Sequence, residues 1–142
     1  MNLILSIIIA SHLLTVVPQK SFDYVSTADE TVTRSAWASA YGAYGFLAHN
    51  HLAGRYIDDL ELGDIITVTS STGAKEYEVV EIKQYRVDGD YYIDLETEER
   101  LTNQGVIEEV YLPGHVYLQT CIAWGHDPSW GRLFVIAKEV SN

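Results

Sequence analysis

One cysteine in the whole chain rules out an intrachain disulfide, so packing and hydrogen bonding must hold the fold, and Cys121 is left as a thiol. Basic residues are scarce: 9 Lys and Arg stand against 20 Asp and Glu, a formal charge of -11 at neutral pH. A surface of that sign repels phosphate backbones and anionic headgroups, so nucleic acid is not expected as a partner. No apolar run reaches the about 20 residues that a membrane-spanning helix needs. The longest, Leu3 to Val17, is interrupted by Ser6, Ser11, His12 and Thr15 and closed by Pro18. No Lys or Arg precedes Lys20, so the basic start of a signal peptide is missing too, although Ser26 and Ala28 follow at a cleavage-like spacing. Two readings of this segment stay open. An export signal or anchor, associating with the membrane through residues 3–17, is the expectation carried forward; the β-branched Ile7, Ile8 and Ile9 speak for a buried first strand instead. Internal repeats and low-complexity tracts are absent.

Hydrophobic residues make up 47% of the 142 and charged residues 20%, which supplies a packed core and fits one domain. From Pro18 to Ser39 the chain is polar, with Asp23, Asp29 and Glu30 among several Ser and Thr, and reads as a linker or exposed loop. The expected organisation is an N-terminal apolar segment with linker over 1–39 and a folded domain over 40–142. In that domain, runs rich in β-branched and aromatic residues predict strands at 43–49, 65–69, 76–87, 91–95, 116–123 and 132–140. Ser70-Ser71-Thr72-Gly73 turns the second and third of these into a hairpin, and in the third Tyr77 and Val79 are expected to bury on one face, Val80 and Ile82 on the other. Leu52-Ala53-Gly54 reads as a break, Thr102 as the cap of a short helix through Tyr111, and Trp124 to Gly131 as a loop. So many strands in so short a domain predict an all-β fold: a closed or nearly closed β-barrel with short helices in its connections, since closure removes sheet edges.

A thiol attacks as thiolate, a form favoured by a nearby imidazole or guanidinium. Cys121 ends the apolar strand Val116-Tyr117-Leu118-Gln119-Thr120. Arg132 opens the strand that follows, so hairpin pairing brings it level with Cys121, where its fork can reach an acyl oxygen. Taken alone, Cys121 fits a small core hydrophobe and Arg132 a solvated edge residue; together they gain meaning. Ala48-His49-Asn50-His51 supplies imidazoles.

In order and spacing, His49 followed by Asn50, then Leu60-x-x-Gly63-Asp64-x-Ile66, then Leu118-Gln119-Thr120-Cys121, then Arg132-Leu133-x-Val135, resembles the sortase family over about Gly42 to Lys138. Sortases are β-barrel cysteine transpeptidases of prokaryotic cell envelopes. The resemblance implies a sortase-like barrel in which His49, Cys121 and Arg132 are the catalytic residues. It implies cleavage of sorting-signal peptides of surface proteins through a Cys thioester, and transfer to an amine acceptor at the cell envelope or to water. It calls for no cofactor, and it implies an extracytoplasmic location. Thr120, in the Cys motif, and Trp124 and Trp130, beside the nucleophile, are expected to bind substrate. The sequence departs from the family pattern in lacking a clear anchor and in offering a second imidazole, His51.

Other readings compete. His49 and His51 at i and i+2 share a strand face and with Cys121 could form a zinc site, its fourth ligand coming from His126, Asp127 or water. Asp88 to Glu109 is acidic with only Arg100 as a base, but Asp88, Asp90 and Asp94 match no calcium loop, and a solvated acidic face is expected, with no metal. The non-catalytic alternative is a barrel that binds peptides or zinc. Papain-like enzymes place Cys before His and do not fit.

Overall fold

The computed structural model describes residues 3–140. Residues 1–2 of the expected N-terminal segment and 141–142 of the expected domain lie outside the described residues. The strands are β1 (Ile4–Ile9), β2 (His12–Pro18), β3 (Thr31–Arg34), β4 (Tyr44–Leu47), β5 (Ile65–Ser70), β6 (Gly73–Asp88), β7 (Tyr91–Asp94), β8 (Arg100–Thr102), β9 (Val116–Trp124) and β10 (Asp127–Glu139). Two short helices, α1 (Gly54–Asp58) and α2 (Asn103–Val110), lie in the connections. The sheet runs β10-β9-β4-β3-β2-β1-β5-β6, and β10 pairs again with β6, so eight strands close into a barrel. β2–β3 and β4–β9 pair in parallel and the other barrel pairs are antiparallel. β7 and β8 extend the sheet beyond the far half of β6.

The expected boundary at residue 39 is corrected. Residues 4–18 form a hairpin whose two strands are staves of the barrel, and Ile7, Ile9 and Leu14 are fully buried. Alternation of apolar and polar residues sends one face of each strand inward, which is why Ser6, Ser11 and His12 interrupt the run. The hairpin turns at Ala10 and Ser11, both with positive φ, the backbone that a tight two-residue turn demands. The polar stretch after Pro18 is no mere linker either: β3 lies within it, with Val32 in the core, and bridges β2 to β4.

The elements expected between 65 and 140 are present, with corrections at their margins. β5 and β6 form the hairpin, Ser70 pairing with Gly73. Tyr77 and Val79 point into the core, but Val80 is 47% exposed. It sits where the β6–β10 register slips between Ile136 and Ala137, and this bulge resets the alternation so that Ile82 faces the interior. The expected loop 124–131 is largely strand: β9 and β10 meet in a tight turn at Gly125 and His126, with a bulge between Asp127 and Gly131.

Two apolar clusters follow from this alternation. One fills the barrel, with Leu14, Val32, Phe46, Leu118, Leu133 and Val135. The other lies on the outer face of β6, β9 and β10, where Tyr85, Tyr117, Phe134 and Ile136 are covered by Val106 and Val110 of α2. Thr102 caps α2 as expected, its hydroxyl accepting from the Gly105 N–H at 3.1 Å. The helix is tethered by Glu109, which accepts from the Tyr85 hydroxyl at 2.5 Å and lies 3.4 Å from the Lys83 ammonium. Gly45 is required by close approach, since a Cβ there would lie 2.2 Å from the Tyr117 ring.

Candidate active site

Cys121 sits near the end of β9, and Arg132 on β10 is its direct partner across the antiparallel ladder. Opposed residues of such a pair project to the same face. Leu118 and Leu133 point into the barrel, Tyr117 and Phe134 outward, so Cys121 and Arg132 fall on the outer face. On the other side of β9, Leu47 of β4 pairs in parallel with Gln119, and the Ala48 N–H still donates to the Gln119 carbonyl at 3.1 Å. β4 ends at Leu47, and only a continuation of this register for two residues would bring His49 level with Cys121. Two neighbouring strands thus carry Arg132 and Cys121 side by side, and His49 lies in the turn that follows β4. Cys121, His49 and Arg132 are each half-buried.

The two backbones that hold the thiol and the imidazole are fixed by local hydrogen bonds. After Leu47 the chain turns sharply, and the His49 carbonyl accepts from the N–H groups of both Leu52 and Gly54, where α1 begins. The residues expected to break the strand therefore start a helix. Asn50 donates through Nδ2 to the Pro128 carbonyl at 3.0 Å, which ties the histidine turn to the bulge of β10. Arg55 anchors the other side of α1: it meets Asp29 at 2.9 Å and Glu30 at 3.1 Å, and Tyr56 donates to Glu30. The hydrogen bond from Arg55 holds the Asp29 carboxyl below its usual range.

Two cavities lie along β9. A groove of about 380 Å³ lies under α2, lined by Leu47 and Gln119, each two positions before His49 and Cys121, with Trp37, Gln104, Ile107 and Tyr111. Phe22 also lines it, and Gln19 does so while accepting from the Ala36 N–H and donating to the Phe22 and Tyr24 carbonyls. An open cleft of about 600 Å³ lies beyond, lined by Cys121, Asn50, His51, Asp58, Asp59 and Ala123 among others. The thiol opens onto this cleft. His51 lines it and His49 does not; their rings are 5.6 Å apart. The Arg132 guanidinium donates from Nη1 to the carbonyls of Ser129 and Gly131.

The three expected substrate contacts fare differently. Thr120 faces the interior, is 3% exposed and packs against Gly54, so its side chain cannot touch a ligand on the Cys121 face; period-two alternation puts neighbours in a strand on opposite sides. Trp124 and Trp130 stack on each other at 5.3 Å across the β9–β10 hairpin and line neither cavity. The groove residues from the 19–37 segment escaped sequence reasoning because that segment reads as polar linker. For Leu47 and Gln119, the other side of the groove, the alternation with His49 and Cys121 is the signal that could have placed them. Among the described residues, no three His, Cys, Asp or Glu side chains are grouped to hold a metal, which weighs against the zinc reading. In the acidic stretch, Asp94 and Glu109 engage Lys83, and Asp88 lies 3.7 Å from Arg100.

No family model matches the sequence. No curated protein matches it. Solved structures do. Sortase C1 of Streptococcus agalactiae superposes with a TM-score of 0.64 at 18% identity, over 96% of this chain and 66% of the other. Sortase C from Clostridium perfringens gives 0.62 at 20%, over 98% and 71%. Sortase C-1 from Actinomyces oris gives 0.65 at 18%, over 96% and 73%. The chain has the sortase fold, and it spans about two thirds of the length of the structures it matches. No helix among the described residues is long and apolar enough to cross a membrane.

Proposed function

We propose that this chain is a sortase-type cysteine transpeptidase acting outside the cytoplasm, on sorting-signal peptides of surface proteins and an amine acceptor at the cell envelope. What carries the reading is the pairing of Cys121 with Arg132 across β9 and β10, with His49 in the turn after β4, the strand beside β9, and a cleft lined by Cys121. Gln119, two residues before Cys121 on the same face of β9, lines the groove, and Cys121 itself lines the cleft, which gives a peptide and an acceptor separate approaches along β9.

The Cys121 thiolate attacks the carbonyl carbon of a peptide lying in the groove, forming a C–S bond and an oxyanion. Arg132 stabilises that charge; its two present hydrogen bonds both come from Nη1, which leaves Nη2 and Nε to turn toward the oxygen. The C–N bond then breaks, the departing amine takes a proton from the His49 imidazolium, and a thioester remains on Cys121. An acceptor amine entering by the cleft attacks the thioester, gives its proton to His49 and releases the thiolate. Water in the same role gives hydrolysis.

The test is transfer itself. A library of extended peptides incubated with the protein and an excess of a small primary amine should yield shortened peptides carrying that amine at the new C-terminus. Cys121→Ala should yield none. Peptides released only as acids would reduce the assignment to a hydrolase, and no product from a broad library would defeat it.

A further inference from the structure

We infer that Gly54 and Thr120 form an internal spacer that sets the separation of the His49 imidazole from the Cys121 thiol. The inference rests on the proposed roles of those two side chains. Cys121 and His49 face outward, so contacts among their own side chains cannot fix the distance between the backbones that carry them. The fixing contact lies beneath them. Thr120, the residue before Cys121, turns inward, and Gly54 lies against it.

A Cβ built on Gly54 would sit 2.2 Å from the Thr120 hydroxyl oxygen, 2.5 Å from the His49 carbonyl oxygen and 2.8 Å from the His49 carbonyl carbon. One hydrogen atom of Gly54 thus occupies the junction between the strand bearing the nucleophile and the turn bearing the imidazole. Gly54 belongs to α1, whose right-handed backbone any residue can adopt, so the need for glycine is room and not conformation. Its N–H also donates to the same His49 carbonyl, at 2.9 Å, which couples any shift of Gly54 to His49.

Thr120 supplies the second mark of a spacer. Its hydroxyl is buried and has no hydrogen-bond partner among the described residues, an arrangement that ordinary packing avoids. An oxygen approaches a Cα more closely than a methyl group does. Valine, the isosteric residue without the buried polar atom, would push Gly54 and the histidine turn away from β9. Gly54 and Thr120 are therefore positioning residues that act through His49.

The test is a double-mutant cycle on the full chain, reading the rate at which iodoacetamide alkylates Cys121, with cooperative urea unfolding as the check that each variant is folded. His49→Ala is expected to slow alkylation because the imidazolium favours the thiolate. Gly54→Ala should slow it about tenfold, the order of effect that a displacement well under 1 Å brings. In the His49→Ala background, Gly54→Ala should change the rate by less than about twofold, since its effect passes through the missing imidazole. A folded Gly54→Ala that reacts at the wild-type rate, or that slows equally with and without His49, overturns the spacer. Should Gly54→Ala fail to fold, Thr120→Val is read in the same cycle, with the same expected and contrary results. If His49→Ala itself leaves the rate unchanged, the failure lies in the role given to His49, and the spacer falls with it.

Discussion

His49 and His51 compete for one role, and register and access favour different rings. The register of β4 and β9, which ends at Leu47 and Gln119, would set His49 level with Cys121 if continued, whereas His51 lines the cleft that Cys121 also lines. Proton transfer to a leaving amine requires hydrogen-bond reach of the reacting groups, which favours the ring that this register would set level. Replacing His49 by Ala should lower transfer by about 10²- to 10⁴-fold, and replacing His51 should cost far less. A library-derived peptide assayed with both variants decides it; the reverse order would mean that the turn after Leu47 delivers the other imidazole. At this scale the sequence was legible where hairpin spacing governs. Cys121 and Arg132 are opposed as their separation along the chain implied, because the extra residues of the bulge absorb the excess in the connection. Thr120 was misread for a reason equally local: motif membership says nothing about which face a residue takes, and alternation places it opposite its neighbour.

Among the elements, α2 has the most to do with the groove, and its anchor is electrostatic. Lys83 of β6 lies 3.4 Å from Glu109 of α2 and 3.6 Å from the buried Asp94 that ends β7. Burial opposes the charge on Asp94, but the N–H groups of Glu96 and Thr97, together with Lys83, outweigh it and hold the carboxyl below its ordinary value of 3.8. A carboxyl depressed on folding stabilises the native state above the unfolded value, and that contribution is lost as pH falls through the folded one. Asp94→Asn should therefore be less stable than the wild type near neutrality. The gap in urea midpoint should close as pH drops from about 4 toward the folded value. A gap that stays constant with pH would assign the loss to packing alone. This anchor was only half legible. The Thr102 cap follows from residue type and position, while the convergence of Lys83, Asp94 and Glu109 depends on how β6, β7 and α2 fold together, which no spacing encodes.

For the whole molecule, closure is the decisive feature. The first and last parts of the barrel meet through strands that are distant in sequence: β10 joins β6, and β1 joins β5. The N-terminal hairpin supplies two adjacent staves between β3 and β5, so its residues are structural in the described fold. Residues 3–17 fit a signal or anchor as well as a buried strand, because a run rich in Leu and Ile looks alike in lipid and in a barrel core. Only the pairing partners, Ile9 with Ile66 and Val16 with Val32, distinguish the two. Removing residues 1–18 would expose the free edges of β3 and β5 and open the core at Ile7, Ile9 and Leu14. Such a truncation should lose cooperative thermal unfolding and bind a dye for exposed apolar surface; sharp, reversible unfolding of the shortened chain would show that the barrel closes without the hairpin.

The account stands on one chemical event at one atom, the acylation of the Cys121 sulfur by a peptide carbonyl. Intact-mass spectrometry of the protein during reaction with an extended peptide library reads it directly. The expected result is one added acyl mass per chain, absent from Cys121→Ala, diminished in Arg132→Lys because an ammonium lacks the guanidinium's fork, and discharged by hydroxylamine with recovery of the original mass. A protein that turns peptides over with Cys121 never acylated, or that gains the same mass in Cys121→Ala, would contradict it.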